Sequence, residues 1–104
     1  MDERFSRCVG IIGEDGLSKL TNSTVAVFGI GGVGSAALEA LVRSGVGTLY
    51  IYDNDTVSVS NINRQLIAYE STVGQSKVSV AKKRCLDINP NVKVFDFGIL
   101  NWIA

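Results

Sequence analysis

The chain has 104 residues, 46% of them hydrophobic and 19% charged, a globular composition with room for one small domain and not a disordered one. Ten Lys and Arg balance ten Asp and Glu, which excludes a global pull toward nucleic acid or an anionic membrane. There is no histidine, which removes a histidine base, a His-ligated metal and any Ser-His-Asp triad. No apolar run approaches the roughly 18 residues that span a bilayer, and Met1-Asp2-Glu3-Arg4 has no apolar signal core. The expectation is a cytoplasmic protein, away from membranes, with Cys8 and Cys85 reduced.

Two short helices lead. Phe5, Cys8, Val9 and Ile12 fall on one helical face between Asp2 and Ile12, with Arg4 and Arg7 three apart on another. Gly13 breaks the pattern. Glu14 to Leu20 reads as a second helix, Leu17 and Leu20 inward, stopping at Asn22. Thr24-Val25-Ala26-Val27-Phe28 then reads as a buried strand. It runs into Gly29-Ile30-Gly31-Gly32-Val33-Gly34-Ser35, where G-x-G-x-x-G spacing sits at a strand-to-helix junction. Gly29 gives a sharp turn, Gly31 lets backbone approach a phosphate, and Gly34 lets the helix lie on the strand. The helix N-terminus points unpaired N–H groups at an anion. The helix, Val33 to Ser44, shows an apolar face of Val33, Ala37, Leu38, Leu41 and Val42. Gly45 and Gly47 turn the chain into a second strand, Thr48-Leu49-Tyr50-Ile51-Tyr52. Asp53 follows, where an acid is needed for a ribose hydroxyl. The unit is β-α-β, so the strands are parallel.

Residues 54 to 74 form a long polar loop, a length that usually carries function. It holds Asp55, Ser58, Ser60, Asn61, Asn63, Arg64 and Gln65. Lys77 opens a third helix that runs to about Asn89 and buries Val78, Ala81, Cys85 and Ile88. Asn89-Pro90-Asn91 stops it. Val92-Lys93-Val94-Phe95 is a third strand, and the stretch from Gly98 through Trp102 to Ala104 fits no pattern. The cysteines lie on apolar stripes and read as core, and Lys82-Lys83-Arg84 reads as a solvated face. These elements support a nucleotide, and two remain open. NAD needs only the glycines and the acid. ATP needs more positive charge, which Arg64 and Lys77 flanking the loop can supply at the carboxyl ends of the strands. Asn61 and Ser60 can donate to phosphate oxygens.

Taken in order, Gly29-x-Gly31-Gly32-x-Gly34-Ser35, Asp53-x-Asp55, Ser60-Asn61-x-x-Arg64-Gln65, Val73-Gly74-x-x-Lys77 and Asn89-Pro90 resemble the E1-like adenylating superfamily of ThiF, MoeB and HesA. The resemblance spans roughly Arg4 to Val94. Within the superfamily, Asn61-Ile62-Asn63-Arg64-Gln65 beside the glycine motif is most similar to the tRNA threonylcarbamoyladenosine dehydratase branch. The resemblance implies ATP and Mg2+ as cofactors, adenylation of a carboxylate, and release of pyrophosphate. The carboxylate belongs to a modified tRNA adenosine in that branch, or to a ubiquitin-like sulfur-carrier protein in the ThiF and MoeB type. By the same resemblance Asp53 holds the ribose, and Gly29, Gly31, Gly32 and Gly34 shape the phosphate turn. Asn61, Arg64 and Lys77 contact the phosphates. Gln65 lies in the pocket, and Asp55 either serves the nucleotide or shapes the turn. Arg7, in Arg4-Phe5-Ser6-Arg7, reaches across a homodimer. Arg64, Lys77 and Arg7 are thus the catalytic candidates, and no residue is assigned to metal.

The expected fold is α/β, a Rossmann-like three-layer unit with a partial parallel sheet of about three strands and two N-terminal helices. Residues 1–104 read as a single ThiF-type nucleotide-binding domain, truncated at its C-terminal side. Members of the superfamily continue with a further strand, an aspartate for Mg2+ and often cysteines, none of which is here. Weak ATP binding and poor adenylation by the isolated chain are the expectation. An NAD-dependent oxidoreductase and a non-catalytic remnant that only dimerises stand as the alternatives.

Overall fold

The computed structural model describes residues 2–98; the stretch containing Trp102 lies outside them. A single 3-10 turn, Glu3–Phe5, opens the chain, its N–H at Arg4 donating to the Asp2 carboxylate at 3.0 Å. Helix α1 (Ser6–Thr21) follows and is capped by Asn22. Gly13 sits inside it at φ 77° and ψ 168°, a conformation open to glycine and not helical. The element is therefore two helical halves, as the sequence implies. Their apolar faces bury less than expected. Phe5 is buried, but no residue of α1 is, and Ile11 is 87% exposed.

Strand β1 (Thr24–Phe28), helix α2 (Gly32–Arg43) and strand β2 (Thr48–Tyr52) make the first β-α-β unit. Helix α3 (Lys77–Ile88) and strand β3 (Lys93–Phe97) complete the second. All three strands are parallel, in the order β1-β2-β3. Thr24 pairs with Thr48, and Thr48 with Lys93. Aliphatic groups from one sheet face meet the two helices in a core that includes Val27, Leu38, Val42, Leu49, Ile51, Val78, Ala81, Cys85 and Val94. Ile30, Val57, Ile67 and Ala68 extend that core under the loops.

Three expectations are corrected. β1 is not a buried strand, since Val27 alone of its residues is buried. It lies at the edge of the described sheet, and Thr24, Ala26 and Phe28 point to the face no described helix covers. The α2 stripe is narrower than expected: Ser35, Leu38 and Val42 are buried, while Val33 and Ala37 are exposed. Leu41, half-buried, also packs against the core. β3 starts one residue later and ends two later than its apolar run, because Asp96 and Phe97 continue the ladder opposite Ile51 and Tyr52. The α3 stripe is as expected, with Val78, Ala81 and Cys85 buried and Ile88 half-buried.

The basic run on α3 is dispersed by its partners. Lys82 Nζ lies 3.5 Å from Asp96 Oδ1 on β3, and Arg84 Nη2 donates to Glu39 Oε1 on α2 at 3.0 Å. No helix among the described residues is long and apolar enough to cross a membrane.

Candidate functional site

The site starts from the turn between β1 and α2. Gly29 takes φ +91°, and its N–H donates to the Tyr52 carbonyl at 2.8 Å, so the turn is tied to the end of β2. A side chain at Gly34 would put Cβ 1.8 Å from the Gly29 carbonyl oxygen. Only glycine lets the helix start this close to the strand. The N-cap of α2 is Gly31, which offers no side chain to the first-turn amides. Those amides and the positive end of the helix are thus left to an outside acceptor.

Asp53, directly after β2, is buried. Its Oδ2 accepts the Ile30 N–H and its Oδ1 the Asp55 N–H, each at 2.7 Å. Such short charge-assisted bonds fix the glycine turn against the loop that follows β2. Each carboxylate oxygen keeps a second acceptor position for a ligand hydroxyl.

That loop then folds back onto the turn. A 3-10 turn, Val59–Asn61, is closed by Asn61 Oδ1, which accepts the Ser58 N–H at 2.9 Å. The Asn61 oxygen is therefore engaged, and its NH2 is the part available to a phosphate. The Arg64 stem lies along the glycines, its Cγ 3.7 Å from where a Cβ on Gly32 would be. Its guanidinium Nη1 donates to the Ser60 carbonyl and to Asn63 Oδ1, both at 3.0 Å. Gln65 is buried, with Nε2 4.0 Å from a would-be Cβ on Gly31. Its Oε1 is buried and has no hydrogen-bond partner among the described residues.

Lys77 is the first residue of α3, with its side chain only 8% exposed. A cation at this end of a helix opposes the dipole, and burial removes water from it. The nearest carboxylate, Asp55 Oδ2, stands 3.8 Å away and is itself 69% exposed. The Lys77 N–H donates to the Asp55 carbonyl at 3.1 Å. A continuous path thus runs from Ile30 through Asp53 and Asp55 to Lys77.

The structure brings together Gly29, Gly31, Gly32, Gly34, Asp53, Asp55, Arg64 and Gln65, with Lys77 joined through Asp55 and Asn61 closing the adjacent turn. Arg7, in the first turn of α1, is exposed and makes no hydrogen bond or ion pair with any of them among the described residues. One contributor had no role in the sequence reading. Ser35 Oγ takes the Leu66 N–H at 3.3 Å and contacts the Gly32 carbonyl at 3.4 Å, docking the loop onto α2. Its signal is a hydroxyl in the first helical turn.

An open cavity of about 740 Å3 lies elsewhere, lined by Tyr69, Thr72, Gln75, Lys83, Arg84 and Asp87 among others. Its Arg84 is held by Glu39. Cys85 is buried, and burial pushes its thiol up to about 11, which makes it inert at neutral pH.

The arrangement fits a nucleotide polyphosphate. The uncapped helix end and the buried ammonium, paired only with an exposed carboxylate, both suit the phosphates that such a ligand carries. Among the described residues no group of three or more His, Cys, Asp or Glu could hold a metal ion.

Known proteins share this construction. The chain is 56% identical over 94 residues to the tRNA threonylcarbamoyladenosine dehydratase of Bacillus subtilis (strain 168), a span taking in 90% of this chain and 37% of that protein. It is 44% identical over 80 residues to the molybdopterin-synthase adenylyltransferase of Escherichia coli (strain K12), covering 77% of this chain and 32% of the relative. The crystal structure of the E. coli tRNA N6-threonylcarbamoyladenosine dehydratase in complex with ATP superposes with a TM-score of 0.92 at 39% identity, covering 93% of this chain and 40% of the other. The chain thus spans well under half the length of these relatives. The family model described as "ThiF family" matches residues 5–98, and the chain belongs to the ThiF family.

Proposed function

We propose that this chain is the ATP-binding part of an E1-like enzyme that adenylates a carboxylate, with tRNA threonylcarbamoyladenosine dehydration as the reaction it serves. The observation that carries the reading is Lys77. A buried ammonium at a helix N-terminus, 3.8 Å from its nearest and mostly exposed carboxylate, is unfavourable until an anion arrives. NAD does not require it, and a triphosphate does.

In this reading Asp53 accepts a ribose hydroxyl while it holds the turn, and Gly31 and Gly32 let backbone amides reach the phosphates. Lys77, Arg64 and the Asn61 NH2 neutralise phosphate oxygens, and Gln65 lines the same pocket. Bound ATP supplies the α-phosphorus that the substrate carboxylate attacks and the pyrophosphate that leaves. Arg64 and Lys77 stabilise the charge that builds on the departing group. For Arg64 this requires its guanidinium to leave Ser60 and Asn63, a rotation of exposed torsions. Mg2+ enters with the phosphates. Arg7 serves a partner protomer's site in a homodimer, which accounts for its standing apart from this one. A sulfur-carrier protein is the second substrate reading, favoured by the 44% identity to a molybdopterin-synthase adenylyltransferase.

Isothermal titration with ATP and with NAD, followed by a pyrophosphate-release assay, tests the reading. ATP binding that Lys77→Ala weakens at least tenfold is expected. Tighter binding of NAD than of ATP would sink it.

A further inference from the structure

The Asp55 side chain has no task in the ATP binding proposed above. Its backbone is held on both sides. The N–H donates to Asp53 Oδ1 at 2.7 Å, and the carbonyl accepts the Lys77 N–H at 3.1 Å. Thr56 then bridges Ser76 in antiparallel fashion, and the Val57 N–H donates to the Gln75 carbonyl at 2.8 Å. The two ends of the long loop are thereby clasped beside the start of α3. The carboxylate itself is not held. Among the described residues it accepts no hydrogen bond, and its ion pair is with Lys77 Nζ at 3.8 Å. Asp53 is the contrast, since two backbone N–H groups offset its charge.

Lys77 sets how close a phosphate must come to that carboxylate. An oxygen that accepts from Nζ lies about 2.8 Å from it. Asp55 Oδ2 lies 3.8 Å from the same atom. From whatever direction the phosphate enters, the two oxygens are then no more than about 7 Å apart, inside the roughly 8 Å over which physiological salt screens charge. The two anions compete for one ammonium and repel each other. A metal ion between them would reverse that sign. An Mg2+ on Asp55 Oδ2, at about 2.1 Å, would however stand within about 6 Å of the ammonium, and among the described residues no group of three or more His, Cys, Asp or Glu could hold a metal. The side chain is 69% exposed, so the repulsion is relieved by turning it outward about its own torsions.

We infer that Asp55 is a displaceable counter-ion. In the free chain its carboxylate offsets the buried Lys77 ammonium, and a nucleotide's phosphates take its place and turn it out to solvent. Asp55 thus sets the affinity by opposing the ligand that Lys77 and Arg64 attract. The phosphates meet Lys77 in the ATP reading, on which this inference rests.

The test titrates this chain, Asp55→Asn, Asp55→Glu and Lys77→Met with ATP by calorimetry, with Mg2+ and with EDTA, at low and at high salt. Asp55→Asn is expected to bind ATP about three- to tenfold more tightly at low salt, in either medium, and the gain shrinks at high salt. Without ligand Asp55→Asn melts lower, because the ammonium has lost its carboxylate. In a Lys77→Met background the same substitution leaves the melting temperature unchanged. Asp55→Glu keeps the charge, so its affinity does not exceed that of the wild type. Equal or weaker ATP binding by Asp55→Asn overturns the inference, and a loss confined to Mg2+ would make Asp55 a ligand of the cation instead. A gain that high salt leaves intact, or tighter binding by Asp55→Glu, overturns it as well. If the wild type binds no ATP, or Lys77→Met binds it as the wild type does, the ATP reading itself fails, a result distinguishable from these.

Discussion

The two faces of the sheet differ although the same three strands build both. On one face Val27, Leu49, Ile51 and Val94 are buried under α2 and α3. On the other, aromatic rings lie across the strands. Phe28 stacks on Tyr52 with centroids 4.7 Å apart, Tyr52 on Phe97 at 4.9 Å, and Tyr50 on Phe95 at 5.0 Å. Phe28, Phe95 and Phe97 remain 60%, 44% and 43% exposed. Parallel sheets are ordinarily covered on both faces, so the described elements complete one layer of burial and not the second. The covered face holds the fold together. The carboxyl ends of the same strands hold the candidate site.

The sharpest way to break this comparison is at the junction of the two regions. Gly34→Ala would force its Cβ onto the Gly29 carbonyl, 1.8 Å away, so α2 must leave the sheet. A loss of more than about 3 kcal/mol is expected, on the scale of the larger core substitutions, with ATP binding abolished. Leu49→Ala, fully buried beneath the helices, should follow at about 2–5 kcal/mol. Phe95→Ala on the open face loses one stacked ring and partial burial, about 1 kcal/mol. Urea melts of the two variants read the difference directly, and equal losses would mean that the open face is as well packed as the covered one.

The covered face was the legible part of the chain. The strand Thr48–Tyr52, expected between the glycines and Asp53, and the helical spacing of Val78, Ala81 and Cys85 are both kept by the structure. β1 misled because a β-branched run looks the same whether one face or both are buried. Val33 misled because the helix rests on the sheet along a narrow line, which a broad apolar face conceals. At the site, the glycine spacing and Asp53 were readable because their backbone geometry follows from residue type. The path Ile30–Asp53–Asp55–Lys77 was not, since it depends on how an irregular loop folds back. Asn61 shows the limit well: its residue type offers a phosphate donor, while its oxygen closes a local turn. The family membership rested on the order of motifs and stands; Arg7 in a partner's site remains a proposal.

Lys77 separates function from stability. Lys77→Met removes a buried cation from the positive end of α3 while keeping the apolar stem. The variant should be as stable as the wild type or slightly more so, while ATP affinity falls at least tenfold. Thermal unfolding and titration calorimetry on the same sample check both halves. A variant that unfolds more easily and still binds ATP would show that the pair with Asp55 is structural and that the anion sits elsewhere.

The smallest effect lies where α2 and α3 meet above the covered face. Glu39 Oε1 accepts from Arg84 Nη2 at 3.0 Å and from Arg43 Nε at 2.9 Å. Its side chain is 14% exposed, so the pair is screened less than an open surface pair. Hydrogen bonding from Arg84, then from Arg43, holds the Glu39 carboxyl below its ordinary value of 4.5, with partial burial working against it. A group whose folded value is depressed adds stability above the unfolded value and loses it as pH falls through the folded one. Glu39→Gln should therefore reduce stability by about 1 kcal/mol at pH 7. The gap between variant and wild type should close as the pH drops below 4.5, because protonation of Glu39 then removes the same charge that the substitution removes. A gap that stays constant through that range would assign the loss to side-chain packing between the helices, and the seam over the covered face would owe nothing to the ion pair.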